Sequence, residues 1–241
     1  MKKTILFIFI VVLFINLKAQ DSSEPNSGKG MFIGANFGYG MVTFRSILKD
    51  EKHFAGTTYD NFSYGIIAGY KLNGLISFQF EGNYAKYGAR NIIPTYIYSP
   101  LSPLLTNFSA SSAVQRVDMN LYNIDIPLSI RISLGDGNFV PYFYGGCNYG
   151  INIKGVASFI HENTVTETVM TWKTTDDITT RIIRGEFAPI AGIGLKYNMF
   201  KLSLFGDLRY KHGFTNLSNV DNNFGFKSSA IWVSAGLLLN L

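Results

Sequence analysis

The stretch "YNIDIPLSIRI", residues 122–132, carries an aromatic or aliphatic side chain at every even position. Between them stand Asn123, Asp125, Pro127, Ser129 and Arg131. A period of two belongs to a β-strand with two unlike faces. A soluble sandwich strand alternates because its polar face meets water. A strand of a membrane-spanning barrel alternates with its apolar face in lipid and its polar face in the lumen. One strand fits both, so the flanking chain must separate them.

Seven more segments repeat the pattern, at 31–44, 61–72, 75–87, 139–153, 186–197, 201–211 and 229–241, around the fourth at 118–133. In 75–87, Ile76, Phe78, Phe80 and Tyr84 oppose Ser77, Gln79, Glu81 and Asn83. In 201–211, Leu202, Leu204, Leu208 and Tyr210 oppose Ser203, Asp207, Arg209 and Lys211. Eight is an even number, and each segment is long enough for a tilted membrane strand. The gaps 45–60, 88–117, 154–185 and 212–228 are long, whereas 73–74, 134–138 and 198–200 are short. Asn73-Gly74 reads as a two-residue hairpin. Long and short gaps alternate without exception. Outer-membrane barrels have this asymmetry, with short periplasmic turns and long extracellular loops.

The aromatic residues sort in the same sense. Once strand direction is assigned, Tyr39, Phe62, Tyr64, Tyr84, Tyr122, Phe187 and Tyr210 fall on the apolar face toward the long gaps. Tyr70, Phe78, Phe139, Phe143 and Tyr197 fall toward the short ones. Two belts are what amphipathic rings form at two membrane interfaces. The expected fold is all-β: one eight-stranded antiparallel up-and-down transmembrane β-barrel over 31–241. A soluble lipocalin-like ligand-binding barrel is the rival.

The N-terminus supports export. "MKKTILFIFIVVLFINLKAQ" joins Lys2 and Lys3 to an apolar run from Ile5 to Ile15, a signal peptide pattern too short to span comfortably. We expect a signal peptide at 1–20 and a flexible periplasmic lead-in at 21–30, hence an outer-membrane location. Removing the three lysines of 1–20 lowers the formal charge from +5 to +2, so the basic pI is no nucleic-acid footprint. Cys147 is the only cysteine of the 241 residues, which excludes an intramolecular disulfide.

An eight-stranded barrel is just wide enough for its own side chains. The lumen face places Lys71, Gln79, Glu81, Asp125, Arg131, Lys196, Asp207 and Arg209 there, as a structural network of paired charges. Asp125 and Arg131 are expected to satisfy each other. No catalytic, cofactor-binding or metal-binding residue is assigned. His53, His161 and His212 lie in or beside long gaps, and no spacing joins them, even His212 with Ser218, into a triad. A lipid A-modifying enzyme is the alternative they leave open. Glu162 and Glu167 read as solvated loop acids, and "GGCNYG" (145–150) as a Gly-rich strand interior. Besides outer-membrane lipid, protein partners are expected at the gaps 88–117 and 154–185, where "IIPTYIYSPLSPLLTNF" (92–108) is unusually apolar. "HENTVTETVMTWKTTDDITT" (161–180) suggests a hairpin rising above the membrane.

The chain resembles the PorT-like outer-membrane β-barrel family over about residues 30–241. The resemblance rests on Tyr122, Ile126, Pro127, Leu128 and Arg131, then Pro141, Tyr142 and Gly145, then Gly192 and Gly194 of "AGIGLKY". It implies an integral, non-enzymatic barrel of the envelope and, through one branch of the family, an accessory of type IX secretion. Pro127 lacks an N–H, so a β-bulge is expected there.

Overall fold

The computed structural model describes residues 29–46, 57–58, 60–92, 114–135, 137–165, 168–219 and 226–241. The expected signal peptide, His53, Glu167 and most of 88–117 lie outside the described residues, as do the side chains of His161 and Glu162. The chain forms β1 (Gly30–Ser46), β2 (Thr57–Thr58), β3 (Asn61–Lys71), β4 (Ile76–Ile92), β5 (Val114–Ser133), β6 (Phe139–Val165), β7 (Thr168–Asp177), β8 (Gly185–Met199), β9 (Leu202–His212) and β10 (Phe226–Asn240). A 3-10 turn, Thr179–Arg181, follows β7.

Eight of these strands close a ring in the order β4-β3-β1-β10-β9-β8-β6-β5, and β5 returns to β4. Every pairing is antiparallel, and the first and last strands meet, with Tyr39 opposite Val233. This is the expected up-and-down barrel. The two-residue β2 joins β4 at its far end, and β7 pairs only with the upper part of β6.

Closure without an edge satisfies the backbone inside the sheet, the condition for crossing a bilayer. The outward face is apolar at mid-strand: Ile66 is 68 % exposed, Val233 64 % and Ile193 62 %. Phe62, Tyr64, Tyr84 and Tyr122 form a row of rings around the upper rim, with successive centroids 5.4–6.3 Å apart from Phe62–Tyr64 onward. Phe139 and Tyr197 meet at 4.6 Å near the lower rim. Ten residues beyond Phe139, Tyr149 also faces outward. At about 3.4 Å per residue and a tilt near 40°, that separation is roughly 26 Å, the height of a barrel's apolar band.

Details of the turns and of Pro127 differ from expectation. Asn73-Gly74 is not a two-residue loop: β3 ends at Lys71 and β4 starts at Ile76, because Asn73 Oδ1 accepts the N–H groups of Leu75 (2.9 Å) and Ile76 (2.7 Å) and winds the turn around itself. The two-residue turn lies instead at Phe200-Lys201, between the paired Met199 and Leu202, with Phe200 at φ 53°. Across the gap 154–185, β6 runs on to Val165 and folds back as β7, in line with the hairpin expected over 161–180. Pro127 carries no bulge: it stays in register opposite Asn148, while the register shifts fall between Val114 and Arg116 and where Tyr122 faces Lys154 and Asn123 faces Asn152.

The interior has three storeys. An upper apolar core includes Phe44, Tyr87, Leu121, Phe159, Phe226 and Trp232. A smaller lower cluster holds Phe32, Ile67, Tyr142, Tyr144, Phe205 and Leu238. Charged and amide groups lie between and below.

Candidate functional site

Inward positions of β4 bring Gln79, Glu81, Asn83 and Tyr87 into the lumen, and those of β9 bring Asp207, Arg209 and Lys211. In the ring these strands stand diametrically opposite. Arg209 reaches across and grips Glu81 bidentately, Nη2 to Oε1 at 2.6 Å and Nη1 to Oε2 at 3.0 Å. Glu81 also accepts the amides of Gln79 (2.7 Å), Asn83 (2.9 Å) and Asn36 (3.1 Å), and Arg209 Nε donates to Tyr144 Oη at 2.8 Å. A fork-to-carboxylate pair with its remaining lone pairs filled is the geometry that offsets the cost of burying both charges.

One level higher, Lys211 Nζ donates to Glu186 Oε2 at 2.8 Å and to Tyr87 Oη at 3.0 Å, and lies 3.5 Å from Asp125 Oδ1. Tyr87 donates to Asp125 Oδ2, Asn148 Nδ2 donates to Asp125 Oδ1 at 3.1 Å, and Ser228 donates to Glu186. Glu81 and Glu186 are fully buried. The cavity left between these layers is only about 20 Å³, room for a single water.

The eight lumen residues singled out in the sequence therefore divide. Gln79, Glu81 and Arg209 come together, and Asp125 joins a second group. Asp207 meets Tyr142 Oη at 3.3 Å. Lys71, Arg131 and Lys196 gather at the short-turn end. Asp125 and Arg131 do not satisfy each other: six residues apart on one strand, they stand about 20 Å apart along it. Arg131 instead lays its guanidinium 4.1 Å over the Tyr142 ring. Glu186, Tyr87 and Lys211 were left out of that set. The signal for them was parity, since each continues the polar phase of its own strand.

Glycine on the inner face makes room for rings. A Cβ on Gly192 would stand 2.5 Å from the Tyr144 ring, and one on Gly194 2.4 Å from that of Tyr142, each ring belonging to its direct cross-strand partner. At the outer end, His212 Nδ1 lies 3.2 Å from Tyr210 Oη and 3.3 Å from Ser229 Oγ, so the serine in reach is Ser229 and not Ser218. Among the described residues, no three His, Cys, Asp or Glu side chains converge as a metal-ligand set.

A family model described as "Outer membrane protein beta-barrel domain" matches residues 18–219. Among curated proteins, none matches the sequence. Among solved structures, the chain is similar to Neisserial surface protein A (16 % identity, 89 % of this chain and 99 % of that one, TM-score 0.46). It is also similar to OprG from Pseudomonas aeruginosa (10 %, 92 % and 99 %, 0.47) and to a major outer membrane protein from Thermus thermophilus (12 %, 88 % and 99 %, 0.44). With a closed eight-stranded ring, an apolar outer band and a family match over most of its length, this chain belongs to the outer membrane protein β-barrel domain family and is an integral β-barrel of the outer membrane.

Proposed function

We propose that this barrel is a non-enzymatic, closed-lumen protein that works through its extracellular rim as a structural or partner-binding element of the envelope. One observation carries the reading: the Glu81–Arg209 bridge and the Lys211–Tyr87 contact both cross the lumen on its full diameter. Opening a path for solutes would strand these buried charges, which is costly. The network of Lys71, Gln79, Glu81, Asp125, Arg131, Lys196, Asp207 and Arg209 is in this view a scaffold, closed in its middle and upper parts. The work is left to surfaces, and the β6–β7 hairpin is the largest described feature at the extracellular end. The PorT-like motifs favour a partner within a secretion assembly of type IX character, reached after export by the signal peptide at 1–20. A soluble lipocalin-like role does not suit a barrel of this family. The lipid A-enzyme alternative lacks support, because among the described residues the hydrogen-bond partners of His212 are hydroxyls and not a carboxylate. Reconstituted in a planar bilayer, the purified monomer should give no stable conductance of porin size. Steady ohmic conductance would replace this reading with that of a small channel.

A further inference from the structure

We propose that the periplasmic end of the lumen is a binding site for a small soluble oxyanion of the phosphate class. Lys71, Arg131 and Lys196 converge there from three different strands, β3, β5 and β8. They line a cavity of about 160 Å³ whose polar wall also includes Ser77, Asn198 and Asn240. Its rim comes from the short turns, through Asn73, Gly74 and Gly135. No acidic side chain lines it among the described residues. Lys196 stands in the repulsive field of Lys71 and Arg131, and Lys71 in that of Arg131.

Their protein partners are few. Lys71 Nζ donates to Asn240 Oδ1 at 2.6 Å, which satisfies a donor but no charge. Arg131 is only 3 % exposed, yet its Nε and Nη2 find no acceptor among the described residues. The Tyr142 ring, at 4.1 Å, and the Phe205 ring, at 5.7 Å, cover its face and hold it in place. Asp207, the acid of the next layer, stands outside the cavity and accepts from Tyr142. The middle of the lumen holds Arg209 and Lys211 beside four carboxylates, Glu81, Asp125, Glu186 and Asp207, whereas the bottom holds three cations and, among the described residues, no carboxylate.

Three like charges in a confined cup are unfavourable unless an anion joins them. An arginine flanked by two lysines is a donor set suited to an oxyanion: a planar fork plus two mobile point charges. The volume selects a small ligand, being close to the ~150 Å³ that accommodates a benzene-sized molecule. The position selects a free one. The cavity lies inside the ring of strands, where a lipid headgroup could not bring its acyl chains. This site stands independently of any role for the extracellular rim.

Isothermal titration of the folded mature chain in maltoside micelles with inorganic phosphate tests the proposal, at constant ionic strength held with chloride. Saturable one-site binding is expected. Lys71→Gln and Lys196→Gln should each weaken it about tenfold, the loss of one charge-assisted contact, and Arg131→Gln should abolish it. Both lysines are only half-buried, so the double variant Lys71→Gln/Lys196→Gln serves if Arg131→Gln does not fold, with heat-modifiable gel mobility reporting folding. Absence of saturable binding by the wild-type chain would overturn the proposal. So would equal binding by the folded double variant, or binding that appears only after phosphatidylglycerol is added.

Discussion

Arg209 is the only cation within ion-pair distance of Glu81 among the described residues, and Glu81 is completely buried. Replacing Arg209 by Met leaves a carboxylate uncompensated in the middle of the barrel. The expected loss is on the order of 3–5 kcal/mol, the range for breaking a buried pair from one side. Adding Glu81→Gln to Arg209→Met removes the stranded charge and should restore most of that loss. Urea unfolding of the two variants in lipid vesicles, followed by gel mobility, measures both steps, and equal midpoints would refute this account. Pro127 shows the same economy at the backbone. The β4–β5 ladder runs from Phe80 opposite Leu128 to Asn83 opposite Asp125, and its pairing lapses between them, opposite the proline. A residue without an N–H is accommodated by omitting a bond, with no bulge needed.

At the scale of elements, β6 is the strand that the alternation alone could not follow. Tyr142, Tyr144, Asn148 and Asn152 point inward on even numbers, but beyond the bulge Gly155, Ala157 and Phe159 point inward on odd ones. One extra residue reverses every side chain after it, so a reading by parity stops at 153. The hairpin that continues from there is anchored at its base. Ile178 and Ile182 enter the upper core, and Asp177 Oδ1 accepts both the Thr179 N–H (2.9 Å) and the Thr179 hydroxyl (2.5 Å). These bonds hold the exposed Asp177 carboxyl below the usual carboxylate range. Their contribution is therefore complete above the ordinary value and is lost as pH falls through the lowered one. Because the anchoring lies at the base, replacing 162–171 by Asn-Gly should leave the barrel intact. A two-residue turn can close the hairpin after the His161–Trp172 pair. The shortened protein should keep its heat-modifiable mobility and, on the secretion reading proposed above, fail to restore cargo export to a strain deleted for the full-length chain. Full complementation would remove the hairpin as the partner surface.

For the whole molecule, the division into a lipid band, a lumen crossed by ion pairs and an outer storey predicts membrane protein behaviour, and the non-enzymatic role proposed above has its own test. Replacing His53, His161 and His212 together by Ala should leave the lipid A profile of expressing cells unchanged, and the variant should still fractionate with the outer membrane. A lipid A species that disappears with these histidines would establish the enzyme. Only His212 among them is a described side chain, and it is held by Tyr210 and Ser229 at the end of β9.

Alternation along "YNIDIPLSIRI" and its seven counterparts was enough to establish a barrel, its strand number and its two ends, because a period of two and the lengths of the gaps are local properties. Its polar phase named eight residues for the lumen and left out Tyr87, Glu186 and Lys211. Which of them meet was set by closure of the ring. Glu81 and Arg209 lie 128 residues apart and become partners only because β4 and β9 end up on opposite walls. Asp125 and Arg131 share one strand but remain apart, since six residues of extended chain set them about 20 Å from each other. The bulge in β6, the apolar upper storey and the three converging cations at the periplasmic end are likewise products of level and register. Those quantities exist only once eight strands have been set side by side.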